Sequence, residues 1–299
     1  MIVFLGWTAD YDRVMIKSLS EILNVKSIVF PEGKIIFQIN KRTNYFLMRM
    51  FLRVWSFFIK PDSILIYKDS DGYGYHKHLD LFEHKKILII RNIISSQTAE
   101  RFLEQYDIIY SFDKAQCDKY DFRYMEQIFP LCKVKNNQYK ISECCYFIGL
   151  DKNRAKIIES VGDVLVDYNI LCDFNIIKDE TSLANSKYYV RKGICYSENI
   201  YRTQRVKYIL EINQVGQSGV TLRALEAIFF GRKLISNNLA LKSYDFYDSS
   251  RIFIFSEVND LKTESFIEFL SSPYKPISEH LLTKYKSSTF FKFIIECHG

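Results

Sequence analysis

At 299 residues, 48% of them hydrophobic and 25% charged, the chain is too long for one small domain and too apolar for a disordered one. A net charge of +6 excludes the concentrated positive excess of a dedicated nucleic-acid binder, and suits an anionic ligand or an anionic membrane surface. No apolar run of about 18 residues occurs, so no spanning helix is expected. The 7 scattered cysteines, with no C-x-x-C, point to reduced, buried thiols in a cytoplasmic protein.

The N-terminal apolar run stops at Gly6 and two acids follow, so Ile2–Leu5 reads as a strand rather than a signal peptide. A helix over 10–22 and strands at Ser27–Phe30, Ile64–Tyr67, Ile87–Ile90 and Ile108–Tyr110 follow, with helices over 44–59 and 97–104 between them. The stretch from Ser111 to Ile141 holds Pro130 and a polar KVKNNQYK run, and reads as the boundary. The pattern then restarts, with strands at Cys144–Ile148, Asn169–Phe174, Tyr208–Ile212, Lys233–Ser236 and Ile252–Phe255 and helices over 152–161, 219–230 and 259–270. Several strands are continuous apolar runs, as parallel strands buried on both faces are. The expectation is α/β: two Rossmann-like parallel-sheet domains facing a cleft, over 1–141 and 142–275, with a closing helix in 276–299.

The stretch from Gly216 to Gly231 (GQSGVTLRALEAIFFG) carries the strongest chemical signal. A strand runs into a Gly-containing turn and then a helix expected to start near Gly219 and to end at Gly231. Backbone without a Cβ can approach a ligand closely, and a helix start offers free N–H groups and a positive dipole to a phosphate. Ser218 and Thr221 could cap the helix or donate hydroxyls. Glu226 lies seven residues beyond Gly219, about 10 Å along the axis, where it could take ribose hydroxyls. The plainer reading pairs Glu226 with Arg223 at i,i+3 on a solvated face.

These residues resemble the donor-site segment of GT-B glycosyltransferases, in which a Gly-rich turn leads into a helix carrying a Glu-Ala pair. The resemblance covers mainly 144–255 and extends to enzymes of bacterial lipopolysaccharide and capsule assembly. It implies phosphate contacts at Ser218, Gly219 and Thr221, and a ribose contact at Glu226. Many retaining members carry a second Glu eight residues before this one, and here that position is Ser218.

Lys152 and Arg154 follow the strand ending FIGLDKNR, where cations could meet a diphosphate in place of a metal. The loop from Tyr67 to His78 offers Asp69, Asp71 and His76 as candidate general bases for an acceptor hydroxyl, with Asp10 and Asp12 competing for that role. His76 and His78 lack a third ligand at recognisable spacing, so no metal is expected, and no cofactor. Tyr45–Lys60 places Arg49, Arg53, Ser56 and Lys60 on one stripe of an apolar helix. It reads either as a buried helix showing its basic stripe or as contact with the inner face of the inner membrane.

The function implied is sugar transfer from a nucleotide-sugar donor to a hydroxyl of a lipopolysaccharide or related lipid-linked surface glycan, without nucleic acid as a partner. Alternatives are a non-catalytic protein of the same fold and another nucleotide-sugar enzyme such as an epimerase.

Overall fold

In a computed structural model, the structure describes residues 1–70, 73–134, 139–182, 185–213 and 219–299. The chain divides into two compact units. Met1–Glu126, Pro130–Cys132 and Lys286–Gly299 form the first; Gln127–Phe129 and Lys133–Tyr285 form the second.

The first unit runs β1 (Ile2–Leu5), α1 (Asp10–Ser20), β2 (Val25–Ile28), α2 (Lys34–Arg42), α3 (Phe46–Ser56), β3 (Ile64–Lys68), β4 (Lys86–Ile90), α4 (Ser96–Gln105), β5 (Ile108–Ser111), α5 (Lys114–Tyr120) and β6 (Arg123–Tyr124). Its six strands pair in parallel in the order β2-β1-β3-β4-β5-β6. Every residue of β1 and β3 is buried, because central parallel strands are covered on both faces. The second strand lies two residues earlier than the apolar pattern suggests. Its four residues pair with Ile2 to Leu5, and Phe30 falls beyond it, giving its N–H to the Tyr75 hydroxyl. The expected helix over 44–59 is shorter too. Tyr45 takes a left-handed φ of 63°, which separates α2 from α3.

The second unit runs β7 (Ser142–Leu150), α6 (Ala155–Asp167), β8 (Leu171–Ile177), β9 (Tyr189–Val190), α7 (Tyr196–Thr203), β10 (Val206–Glu211), α8 (Leu222–Phe229), β11 (Lys233–Ser236), β12 (Ile252–Ile254), α9 (Glu264–Ser271) and α10 (Glu279–Lys284). Its strands are also all parallel, in the order β12-β11-β10-β7-β8-β9. Its core joins Phe147, Ile158, Val161 and Leu165 to Phe174, Leu210, Ile235 and Phe266. The two-residue edge strands β6 and β9 are too short to leave a hydrophobic period in the sequence.

The last helix, α11 (Ser287–His298), belongs to the first unit. Phe291 packs edge-on against Phe4 at 5.0 Å between ring centres, and the Tyr110 hydroxyl meets His298 Nε2 at 3.0 Å. The seven thiols form no disulfide. Cys195 and Cys297 are exposed, against the expectation of uniformly buried cysteines. Among the described residues no helix is long and apolar enough to cross a membrane.

Candidate functional site

In an open parallel sheet, ligands settle beyond the carboxyl ends of the strands where the strand order reverses. In the second unit β8 and β9 lie on one side of β7, and β10 to β12 on the other. The reversal therefore falls between β7 and β10. Arg154 bridges it: Nη2 donates to Leu150 O at 2.6 Å, at the end of β7, and Nη1 donates to Ile212 O just past β10. A third donor, Nε, reaches Asp151 O at 3.1 Å. These bonds use three of the five guanidinium N–H groups. Arg223, from the first turn of α8, donates to Ile148 O on β7 and lies 4.5 Å above the Phe147 ring.

Both guanidiniums converge on Gly149. A Cβ there would stand 3.1 Å from Arg223 Nη2 and 3.4 Å from Arg154 Nη2, so a side chain would force them back. Burial, followed by repulsion from Arg223, pulls Arg154 down to about 10. Burial also lowers Arg223, opposed by Glu211 and Glu226. Two cations held this close are relieved by any anion that lands beside them.

Lys152 follows β7 in a left-handed conformation, and its backbone N–H goes to Asp179 Oδ2 at 2.9 Å. Burial and the Arg154 charge lower its pKa. Asp151, which sequence reasoning passed over, holds the turn. Its Oδ1 accepts from the N–H groups of Arg154 and Ala155 at 2.9 and 2.8 Å, and its Oδ2 accepts from Ser182 Oγ at 2.7 Å. A carboxylate at a helix start satisfies donors that have no partner within the helix.

Helix α8 begins at Leu222, three residues later than expected from the glycine. Thr221 is extended and is the cap, its hydroxyl accepting Ala224 N–H at 3.2 Å. That hydroxyl also donates to Glu211, so Thr221 shapes the helix start rather than presenting a loose donor. Glu211 is fully buried at the end of β10 and takes a second bond from Ser236 Oγ at 2.6 Å. Burial raises its pKa. Gly219 is fixed through its carbonyl by Asn238 Nδ2 at 3.3 Å. Ser218 and Gly216 lie outside the described residues. The helix closes where expected: Gly231, at φ 64°, lets Arg232 N–H return to Ala227 O at 2.7 Å.

Glu226 is not on a solvated face. It is 5% exposed, and Asn199 Nδ2 on α7 donates to its Oε1 at 2.9 Å. Asn199 in turn accepts from the Tyr146 hydroxyl at 3.1 Å. Burial pushes the Glu226 carboxyl up to about 7 against the opposing Arg223 charge.

The first unit has its own carboxyl edge, where β1 and β3 flank the reversal. Asp12 is fully buried there between two cations: Lys68 Nζ and Arg91 Nη1 each donate to it at 2.9 Å. Both oxygens of Asp12 are thus held by cations. Asp69 follows β3 and accepts from Asn92 Nδ2 at 2.8 Å, and burial raises its pKa. His76 is elsewhere in character: its ring packs among Tyr67, Phe102 and Tyr106, and Nδ1 meets the Tyr106 hydroxyl. Asp71 lies outside the described residues.

Arg223, Glu211, Asn199 and Asn238 were not singled out as site residues by the sequence. Arg223 had a signal, its i,i+3 spacing to Glu226, which was assigned to a solvated face. The other three come from separate elements and meet only through packing.

No family model matches the chain, and no curated protein does. Solved structures do. A DNA-modifying β-glucosyltransferase, studied with and without uridine diphosphoglucose, is 15% identical with a TM-score of 0.53, covering 99% of this chain and 100% of that one. An α,α-trehalose-phosphate synthase (UDP-forming) from Burkholderia xenovorans is 9% identical at TM-score 0.59, covering 99% of each chain. A UDP-GlcNAc 2-epimerase from Methanocaldococcus jannaschii, in complex with UDP-GlcNAc and UDP, is 9% identical at 0.54, covering 99% of this chain and 98% of that one. At such identities the likeness is one of fold: two Rossmann-like parallel-sheet domains of the GT-B kind.

Proposed function

We propose that this GT-B-fold chain is a glycosyltransferase that takes a nucleotide sugar at the carboxyl edge of its second unit. The observation that carries the reading is the pair Arg154 and Arg223 converging on Gly149 at the strand-order reversal. The diphosphate rests against these guanidiniums, Lys152 and the start of α8 at Gly219 and Thr221. Glu226 takes the ribose hydroxyls. No metal is needed for the departing diphosphate, because the cations and the helix start neutralise it.

The acceptor is proposed to be a hydroxyl of a lipopolysaccharide or related lipid-linked surface glycan, met on the first unit. Its oxygen bonds to the anomeric carbon, the bond from that carbon to the diphosphate oxygen breaks, and the nucleoside diphosphate leaves with the electron pair. The acceptor proton passes to Asp69, whose burial-raised carboxyl is better suited to hold it than an ordinary exposed one. Asp69 is chosen over the other described candidates, Asp10 included, because burial raises its carboxyl.

The experiment is calorimetric titration with UDP, GDP, CMP and dTDP, repeated on Arg223→Met. One nucleoside diphosphate is expected to bind, and the variant to bind it about ten- to a hundredfold more weakly, the size of a lost charge-assisted bond. Failure of all four to bind would overturn the donor site. Assays with the bound donor then separate the chemistry. Turnover without any acceptor would make the chain an epimerase-like enzyme, and transfer to duplex DNA in place of the glycan would replace the acceptor.

A further inference from the structure

The first unit exposes a large apolar surface that its core does not explain. Over 34–60, covering α2, α3 and the turn after them, the chain has six cations (Lys34, Lys41, Arg42, Arg49, Arg53 and Lys60) and no acid. The same stretch leaves Ile35, Phe57 and Phe58 exposed at 73%, 78% and 67%, with Phe46, Met50 and Val54 also in solvent. Helix α3 is therefore apolar on two sides. Met48 and Leu52 enter the core of the unit, with Phe51 and Trp55 packed against it.

At about 100° per residue, Phe46, Leu47, Met50 and Val54 share an outward arc of about 100°, and Arg49 and Arg53 line one border of it. Met50, Phe51, Val54, Trp55 and Phe58 line a groove with Lys26, whose ammonium lies 4.4 Å over the Trp55 ring. Arg49 is held at that border by Asp80 on the neighbouring 3-10 turn, at 2.8 Å. A narrow basic stripe on an otherwise buried helix, the plain sequence reading, does not describe this surface.

We infer that α2 and α3 form a docking face for an anionic lipid surface, with the outward apolar arc entering the headgroup boundary and the cations meeting lipid phosphates. The one-sided charge selects this occupant. A rim on which six cations face one paired acid, Asp80, complements a surface whose negative charge is spread evenly, and long Lys and Arg side chains reach headgroups while their stems stay apolar. The exposed aromatic and aliphatic side chains add the burial that charge alone does not supply. This goes beyond the donor chemistry and stands on the first unit alone.

The test is co-sedimentation of the full chain with phosphatidylcholine vesicles, with and without phosphatidylglycerol. Binding is expected only to the anionic vesicles and is expected to fall as salt is raised. Phe57→Ser with Phe58→Ser is expected to weaken it at least tenfold, and Arg53→Glu with Lys60→Glu to abolish it. All four positions are at the surface or in the turn, so nucleotide binding and the melting temperature are read alongside as evidence that the second unit is intact. Absence of binding to anionic vesicles, or binding that neither double variant changes, overturns the inference. So does a concentration-dependent dimer that Phe57→Ser with Phe58→Ser dissolves, since the face would then belong to a second copy. A chain that binds vesicles but no nucleotide would sink the donor site and leave this surface standing.

Discussion

The two units present the same kind of sheet edge and treat charge there in opposite ways. In the first, two cations, Lys68 and Arg91, close on one buried carboxylate, Asp12, so each is paired with a carboxylate oxygen within the protein. In the second, Arg154 and Arg223 donate to backbone carbonyls, which orient them, and the charges of Glu211 and Glu226 partly offset that of Arg223. An edge whose cations are paired within the protein is a piece of framework. An edge with oriented, mutually repelling cations suits an anionic ligand such as the proposed donor diphosphate.

That contrast can be broken at several points. The largest effect is expected at Asp69, the acid of the first edge held by an amide rather than locked between cations. Asp69→Asn should lower kcat of sugar transfer by roughly a hundred- to ten-thousandfold, the usual worth of a general base, with the donor Kd unchanged. Steady-state kinetics beside calorimetry measures both. An Asn variant with full kcat would remove Asp69 from the chemistry.

Next comes Asp12. Replacing it by Ala leaves two buried cations without their partner and should cost about 3–5 kcal/mol in urea unfolding. If the edge of the first unit is framework, nucleotide affinity per folded molecule stays as in the parent. A specific loss of affinity would mean that the two edges are not as different as their charges suggest.

The smallest effect sharpens the second edge. The folded Glu226 carboxyl titrates near 7, whereas an unfolded Glu does so near its ordinary 4.5. Between these values the folded chain keeps a proton that the unfolded chain has lost, so this contribution is full below about 4.5 and disappears as pH rises to about 7. Glu226→Gln should remove on the order of 2–3 kcal/mol of that pH dependence. Denaturation curves at pH 5 and pH 7.5 for the two proteins would show it; parallel pH profiles would contradict the buried carboxyl.

Several features of both units were legible because they are local. The strands Ile2–Leu5 and Lys233–Ser236 lie where their apolar runs end, and Gly231 closes α8 because only a positive φ turns the chain there. The helix starts three residues beyond Gly219, since the hydroxyl of Thr221 sets the cap. Glu226 was legible as a residue to watch, but not as a buried one. Its burial depends on Asn199 of α7, a contact across 27 residues that no periodicity reports.

Composition and pattern by themselves determined that the chain has two parallel-sheet halves, that a helix ending at Gly231 follows the glycine-containing stretch, and that 34–60 is basic and apolar together. These follow from short-range chemistry: strand period, glycine geometry and charge order. The tertiary structure decided which charges meet. It put Arg223 beside Arg154 over Gly149, closed Lys68 and Arg91 on Asp12, and turned one apolar side of α3 outward. The reason is that an ion pair or a buried carboxyl is a property of strand order and packing, and these bring together residues that lie 20 to 80 positions apart.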